Sequence, residues 1–264
     1  MGEESRVPRE GLRGRVAIVT GASRRAGIGS AICRSLAGRG ADIFFTQWSA
    51  YDRGSGIGDE ADWPAALREE LRSLDVRAEH AEVDLSLPET PVRVLEEATG
   101  RLGMPSILVN NAAHSARNGY EELDAAALDA HYAVNLRAMA LLSVEFARRY
   151  QGGPGGRIVS MTSGQENGPM PGELAYAATK GAVAAFTRSL AVEVGHKGIT
   201  VNAVNPGPTD TGWMSEGLKR ELMPRFPLGR MGLPEDAARL VAWLATDEAE
   251  WITGQVIDSA GGFH

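Results

Sequence analysis

Short apolar runs alternate with amphipathic stretches along nearly the whole chain. Residues 16–20, Val-Ala-Ile-Val-Thr, form a β-branched run closed by Gly21, which predicts a buried strand. Residues 28–38 follow, with Ile32, Leu36 and Ala37 on one face of a helix. Residues 43–46 predict a second strand, and 48–63, rich in Gly, Asp and Ser, a long loop. Pro64 suits the first turn of a helix reaching residue 74. Further strands are predicted at 76–83, 107–109, 157–161, 199–204 and 255–258. The intervening helices fall at 88–102, 122–149 (as two), 174–194 and 234–244.

Seven strands separated mostly by helices predict an α/β fold. Each parallel crossover needs a covering helix, so the sheet should be parallel and doubly wound, with helices on both faces. No proline-rich or low-complexity linker divides the chain. The expectation is a polar tail over 1–14 and a single domain over 15–264. In such a sheet ligands bind beyond the carboxyl ends of the strands, so the residues that follow strands are the candidates for function.

Composition narrows the function classes. At 264 residues, 43% hydrophobic and 23% charged, the chain can bury a core without disulfides or metals. A net charge of −7 argues against a broad nucleic-acid surface. Cys33 is the only cysteine and sits in an apolar helical run, which excludes an intrachain disulfide and predicts a buried thiol. No apolar run approaches membrane-spanning length, and the charged N-terminus lacks a signal-peptide core. Arg6 stands where myristoylation requires Ser or Thr. A soluble, cytoplasmic protein without membrane or nucleic-acid partners is expected. The five histidines show no ligand spacing, so no metal site is expected. His114, just after a strand, is either a turn residue or within reach of a substrate.

The first turn reads Thr20-Gly21-Ala22-Ser23-Arg24-Arg25-Ala26-Gly27-Ile28-Gly29. Small residues there let backbone approach a pyrophosphate, whose charge meets free N–H groups at a helix N-terminus. On the predicted helix 174–194, Tyr176 and Lys180 stand four apart and share a face. A phenol titrates near about 10, and a neighbouring ammonium favours its phenolate form. That pair is an acid–base device for interconverting carbonyl and alcohol. Ser163 closes the strand before it, thirteen residues ahead of Tyr176, with Ser160 and Thr162 as competing hydroxyls. A hydroxyl there can orient a carbonyl and stabilise charge on its oxygen. No GxSxG elbow or companion His and acid makes Ser163 a hydrolytic nucleophile.

Taken in order, these segments resemble the short-chain dehydrogenase/reductase family, closest to its 3-oxoacyl-[acyl-carrier-protein] reductase-like group. Asn110-Asn111-Ala112-Ala113 is similar to the family's Asn-Asn-Ala-Gly, and Pro206-Gly207-Pro208-Thr209-Asp210-Thr211 to its loop at the nicotinamide. The family's glycine pattern is Thr-Gly-x-x-x-Gly-x-Gly; here five residues separate Gly21 and Gly27, two more than that pattern. The resemblance implies a Rossmann-type fold and an oxidoreductase moving hydride between a nicotinamide cofactor and a ketone or aldehyde. Tyr176 would donate the proton, with Lys180 lowering its pKa and binding ribose. Ser163 would hold the carbonyl oxygen, and Asn135, unfavourable inside a helix, would hold a relay water, a simple helix kink being the alternative. The cofactor would meet Gly21, Ser23, Arg24, Arg25, Gly27, Ile28, Gly29, Asp84, Leu85, Asn111, Ala112, Tyr176, Lys180, Pro206, Gly207, Thr209 and Thr211.

NAD sites usually carry a carboxylate at the end of the second strand. Here that stretch reads Thr46-Gln47-Trp48, while Asp42 comes too early and Asp52 lies in the loop. Arg24 and Arg25 suit a 2′-phosphate, so NADP(H) is expected, with NAD(H) and solvated arginines as the alternative. The apolar positions of 212–226, from Trp213 to Phe226, predict a lid over an apolar substrate. Lys219, Arg220 and Arg225 either face solvent or meet an acidic carrier protein. The resemblance implies a homotetramer formed through paired long helices. Two rival readings are an NAD-dependent alcohol dehydrogenase of the same fold and a nucleotide-binding regulator without turnover.

Overall fold

The computed structural model describes residues 11–54 and 60–263. Its strands are β1 (Val16–Val19), β2 (Asp42–Gln47), β3 (Ala78–Glu82), β4 (Ile107–Asn110), β5 (Gly156–Met161), β6 (Ile199–Asn205) and β7 (Val256–Asp258). All pair in parallel in one sheet, ordered β3-β2-β1-β4-β5-β6-β7. The order reverses between β1 and β4, which places a crevice at the carboxyl ends of those two strands.

The inner strands β1, β2, β4, β5 and β6 are covered on both faces, which is why β1 and β4 read as continuous apolar runs rather than as alternations. The edge strands β3 and β7 are only partly covered. On β1, Ala17 and Val19 join one core with Ile32 and Leu36, while Val16 and Ile18 join the opposite core with Leu95 and Leu142. The covering helices are α1 (Ile28–Ala37), α3 (Trp63–Arg72), α4 (Thr90–Leu102), α5 (Ala125–His131), α6 (Met139–Arg149), α7 (Leu174–Val194) and α9 (Pro234–Leu244). Two short ones, α2 (Ser49–Gly54) and α8 (Glu216–Leu222), lie outside the layers. The predicted single-domain, doubly wound sheet is the observed one.

Several local expectations change. The polar tail ends earlier than residue 14, because Leu12 is fully buried and its N–H donates to the Arg39 carbonyl at 2.7 Å; residues 1–10 lie outside the described residues. The predicted loop 48–63 contains α2, while 55–59 lie outside the described residues. The strand expected from residue 76 starts at Ala78, after Asp75 takes a left-handed φ of 63°. The two helices expected over 122–149 are one continuous run in which Tyr132–Ala138 is π-helical. A π-turn displaces backbone bonding by one residue, and such turns recur at functional sites.

At the amino end of the sheet, Arg157 of β5 is 2% exposed. Its guanidinium donates to the Thr246 carbonyl at 3.3 Å and the Gly156 carbonyl at 3.0 Å, and lies 3.5 Å from the Asp247 carboxylate. Arg15, before β1, donates to Ser106 Oγ at 3.1 Å, to the Ala245 carbonyl at 2.7 Å and to the Gly155 carbonyl. Together the two arginines tie the strand starts to the turn after α9. Burial lowers both pKa values, that of Arg15 to about 10, yet every hydrogen bond the two guanidinium groups donate ends on an oxygen.

Candidate active site

The glycine-rich turn packs against the end of β4. Gly21 has φ 76°, and a Cβ there would stand 2.7 Å from the Ala112 Cα. A Cβ on Gly29 would stand 2.3 Å from the Gly21 carbonyl oxygen. Both positions therefore require glycine. Thr20 Oγ1 accepts from the N–H groups of Asn111 and Ala112 at 3.0 and 3.1 Å. Asn111 Nδ2 returns bonds to the Thr20 and Gly21 carbonyls at 3.0 and 2.8 Å. The two strand ends are thereby laced into one cradle.

The two residues added to the glycine loop do not disturb that cradle. Arg24, Arg25, Ala26 and Gly27 form a turn in which the Gly27 N–H meets the Arg24 carbonyl at 3.0 Å. Ser30 Oγ donates to the same carbonyl at 2.6 Å and accepts from Trp63 Nε1 at 2.9 Å. Arg25 and Ala26 project outward and are exposed. Helix α1 then begins at Ile28 after Gly27, which offers no side-chain cap. Its first N–H groups are thus left to an anion or water. The Arg25 guanidinium lies 4.3 Å over the Trp63 ring, and Arg24 reaches across the crevice to the Thr211 carbonyl at 3.4 Å. Ser23 Oγ accepts from the Trp48 N–H at 3.4 Å.

An uncapped helix start, backbone packed too closely for a Cβ, and two cations nearby fit a dinucleotide pyrophosphate and a further phosphate. At the end of β2 stands Gln47, its Nε2 3.0 Å from His80 Nδ1; the nearby Glu82 carboxylate is engaged by the Ser49 N–H at 3.1 Å. Asp84 spends Oδ1 on the Ser86 N–H at 2.8 Å, a turn-fixing bond, with Leu85 buried beside it. Thr209 Oγ1 is turned inward onto the Pro206 and Gly207 carbonyls at 3.1 and 3.2 Å, leaving its backbone carbonyl to Trp213 Nε1 at 3.0 Å.

Helix α7 carries Tyr176 and Lys180 beside the end of β5. Lys180 is buried, and its Nζ donates to the Met161 carbonyl at 2.8 Å while standing 5.6 Å from the Tyr176 ring centre. Burial pulls its pKa down to about 8. The phenol behaves differently from the expectation that Lys180 depresses its pKa. Tyr176 is raised to about 12, burial being the largest cause, with a Ser163 hydrogen bond acting in the opposite direction. At neutral pH the phenol therefore holds its proton. This suits a group that donates to a nascent alkoxide.

Hydrogen bonding also separates Ser163 from its competitors. Ser160 Oγ is held by Asn110 Nδ2 at 3.2 Å, and Thr162 Oγ1 donates to the Lys180 carbonyl at 3.1 Å and accepts from Gln165 Nε2 at 3.2 Å. Ser163 Oγ has only a long contact to Met170 Sδ at 4.0 Å, and of the three hydroxyls it alone bears on the Tyr176 pKa, lowering it. Asn135, at the centre of the π-helical segment, is buried. Its Oδ1 accepts from the His114 N–H at 2.7 Å, and its Nδ2 donates to the His114 carbonyl at 2.9 Å and to Thr179 Oγ1 at 3.1 Å. The side chain thus fixes the β4 loop against α7, and the helix distortion accompanies that task.

Three contributors had no sequence signal. Tyr51, carried by α2, has its hydroxyl between the Ser115 N–H, at 3.0 Å, and the Ser115 carbonyl, at 3.3 Å. His131 is fully buried, with Nδ1 2.7 Å from the Ala127 carbonyl and Nε2 accepting from the Ala116 N–H at 3.2 Å. Thr179 receives Asn135. Only long-range packing brings these together with Tyr176.

A family model described as enoyl-(acyl carrier protein) reductase matches residues 21–264. The chain belongs to the short-chain dehydrogenase/reductase family. It is an NAD(P)-dependent oxidoreductase of that family. An uncharacterized oxidoreductase of Bacillus subtilis, YjdA, is 53% identical over 94% of this chain and 96% of its own. An NADPH-dependent aldehyde reductase-like chloroplast protein of Arabidopsis thaliana is 36% identical, covering 96% of this chain and 95% of its own. Among solved structures, a blue fluorescent protein from a metagenomic library, bound to NADPH, superimposes with a TM-score of 0.86 at 35% identity, covering 96% of this chain and 98% of that one.

Proposed function

We propose that this short-chain dehydrogenase/reductase uses NADPH to reduce a ketone or aldehyde carbonyl to an alcohol. The observation that carries the reading is the Tyr176 phenol, held protonated by burial, close to Ser163 and backed by buried Lys180, beside a dinucleotide cradle. Two relatives support NADPH: an NADPH-dependent aldehyde reductase-like protein and a structure bound to NADPH. Arg24 and Arg25 beside an uncapped helix start, with glutamine rather than a carboxylate ending β2, support it from this chain's own residues.

When bound, the nicotinamide supplies the hydride. The chain's own residues do the rest. Gly21, Gly27, Ile28 and Gly29, with Asn111 and Ala112, form the backbone bed for the dinucleotide. Pro206, Gly207, Thr209 and Thr211 form the opposite rim, and Asp84 and Leu85 the far end. Ser163 orients the substrate oxygen, and Tyr176 gives it a proton as negative charge develops there. The Lys180 ammonium, anchored on Met161, offers its remaining N–H bonds to a ribose and stabilises the phenolate left on Tyr176. Asn135 keeps the β4 loop in register with α7.

Residues 212–226 serve as a substrate lid. Met214 and Phe226 bury with Met231, packed by Leu218, Leu222 and Phe263, so the segment has a small core of its own. Trp213 ties it to the rim through the Thr209 carbonyl. For a 3-oxoacyl chain on a carrier protein the basic residues are largely committed. Lys219 pairs with Asp210 at 2.8 Å and Glu216 at 3.1 Å, and Arg225 lies 4.2 Å over the Phe263 ring. Exposed Leu128, Tyr132 and Leu141 along α5, the π-helical segment and α6 support a homo-oligomer joined through its long helices. Among the described residues no helix is long and apolar enough to cross a membrane.

The test is a panel of aldehydes, ketones and 3-oxoacyl thioesters assayed with NADPH and with NADPH replaced by NADH. Carbonyl-dependent consumption of NADPH, with clearly higher catalytic efficiency than for NADH, is expected. Equal efficiency with both cofactors would refute the cofactor assignment, and inertness across the panel the reaction.

A further inference from the structure

The helix that carries Tyr176 starts without a cap of its own. Glu173, the residue before α7, has φ −134° and ψ 40°, away from the extended geometry of an ordinary N-cap, and its side chain makes no capping bond. The first N–H groups of a helix have no partner within it. Here two of them are met from another part of the chain. Asn118, 5% exposed, accepts from the Leu174 N–H through its carbonyl at 3.2 Å and from the Ala175 N–H through Oδ1 at 3.3 Å. Its own N–H donates to the Gly172 carbonyl at 2.8 Å, so Asn118 lies against Glu173 in a parallel bridge. Tyr176 is the third residue of α7, directly after the two that Asn118 holds.

Asn118 ends a stretch that begins at the dinucleotide cradle. Asn111 is laced to Thr20 and Gly21. Asn135 clamps the N–H and the carbonyl of His114, and the Ala116 N–H donates to His131 Nε2 at 3.2 Å. Residues 111–118 are thus fixed at both ends and twice between, with one end on the cradle and the other on the turn that carries the phenol. Lys180, one turn further along α7, has a different support. It is tied to β5 and the residue after it, by Nζ to the Met161 carbonyl and by its own carbonyl to Thr162 Oγ1. Tyr176 lies in the first turn, where helices fray, so its place depends on how that turn is held.

Resting on the carbonyl-reductase reading above, the structure assigns Asn118 as a positioning residue of the reaction: by capping α7 from the loop after β4, it sets where the Tyr176 hydroxyl stands relative to the dinucleotide cradle. It acts through Tyr176. A displacement on the order of 1 Å in a reacting group lowers turnover by about 10²-fold, so a frayed first turn costs catalysis even where the fold survives. Lys180 and the cradle keep their own supports, and cofactor binding does not depend on the cap. The Asn118 Nδ2 makes no hydrogen bond among the described residues. An aspartate at 118 therefore loses no donor in use, keeps the acceptor, and places a carboxylate where a helix N-terminus favours one.

The experiment compares wild type, Asn118→Ala and Asn118→Asp. Turnover is read with NADPH and the best carbonyl of the panel above, NADPH binding by nicotinamide fluorescence, and the order of α7 by backbone hydrogen exchange. In Asn118→Ala kcat should fall by about 10- to 100-fold while the NADPH dissociation constant stays unchanged. Exchange over 174–177 should quicken by about tenfold, the scale of one lost cap, with no change beyond Lys180. Asn118→Asp should recover most of kcat and the slow exchange. Unchanged kcat in Asn118→Ala overturns the proposal and leaves the carbonyl-reductase reading standing. So does a kcat in Asn118→Asp as low as in Asn118→Ala, or NADPH binding that weakens in step with kcat. Inertness of wild type toward every carbonyl removes both readings. Should Asn118→Ala fail to fold, Asn118→Ser, whose shorter side chain falls short of the Ala175 N–H, is compared with Asn118→Asp and decides in the same way.

Discussion

Two buried cationic centres lie at opposite ends of the same parallel sheet, and they are built on opposite principles. At the amino end, Arg15 and Arg157 direct their guanidinium hydrogens at carbonyls and at Asp247. At the carboxyl end, Lys180 is as deeply buried as Arg157, but among the described residues its ammonium makes a single hydrogen bond, to the Met161 carbonyl. Burial lowers the pKa at both ends. A depressed pKa therefore does not by itself distinguish a site from a staple; the satisfaction of donors does. A cavity of about 600 Å³ beside Arg15 and Arg149 belongs to the stapled end, where Arg149 is committed to Glu145 and Glu96.

The contrast can be broken by substitution. The largest effect is expected from Tyr176→Phe, which removes the transferable proton. Turnover should fall by about 10²- to 10⁴-fold, with NADPH binding, followed by nicotinamide fluorescence, retained. Near-normal turnover would strike Tyr176 from the mechanism. Next comes Arg157→Met at the other end. Removing one partner from a buried charged cluster leaves carbonyls unsatisfied, and a loss of about 3–5 kcal/mol is expected in denaturant unfolding. The turnover of the molecules that remain folded should be intact.

A smaller effect links Lys180 to pH. Its pKa in the folded protein is about 8 against an ordinary 10.5, so the unfolded chain binds the proton more tightly. The cost of burying the charge is fully present below pH 8, and stability recovers as pH rises from about 8 toward 10.5. In Lys180→Met this rise, on the order of 1–3 kcal/mol, should disappear from unfolding curves. An identical rise in the variant would show that the slope comes from other groups. Smallest of all, Ser160→Ala should cost about 1 kcal/mol of stability through the lost Asn110 bond, with little effect on turnover. Ser163→Ala should do the reverse, lowering kcat/KM by an order of magnitude or more.

Much of the sheet was legible because its inner strands are buried on both faces, and β1 and β4 read as unbroken apolar runs. The catalytic helix was legible too, since Leu174–Val194 matches the predicted helix at both ends. What escaped the sequence was whatever long-range contact decides. Leu12 looked like tail because its burial depends on the Arg39 carbonyl, far along the chain. Helix α2 lies in a stretch whose Gly, Asp and Ser content predicts loop, and Tyr51 is placed only by its grip on Ser115. The Tyr176–Lys180 spacing showed that the two would meet but not which effect on the phenol would prevail. Desolvation, absent from a sequence, is the largest cause and raises its pKa, with Ser163 rather than the ammonium acting in the opposite direction. Conversely, the glycine loop is two residues longer than the family's pattern, yet its added length folds outward as a turn from Arg24 to Gly27 and leaves Gly21 and Gly29 in place.

The most direct test sets the two ends against each other in one measurement. Carbonyl-dependent NADPH consumption per folded molecule is recorded for wild type, Lys180→Met and Arg157→Met, alongside each protein's unfolding curve. The prediction is a double dissociation: Lys180→Met loses turnover and keeps its fold, while Arg157→Met loses stability and keeps its turnover. Loss of turnover and stability together in both variants, or full turnover in Lys180→Met, would contradict the account.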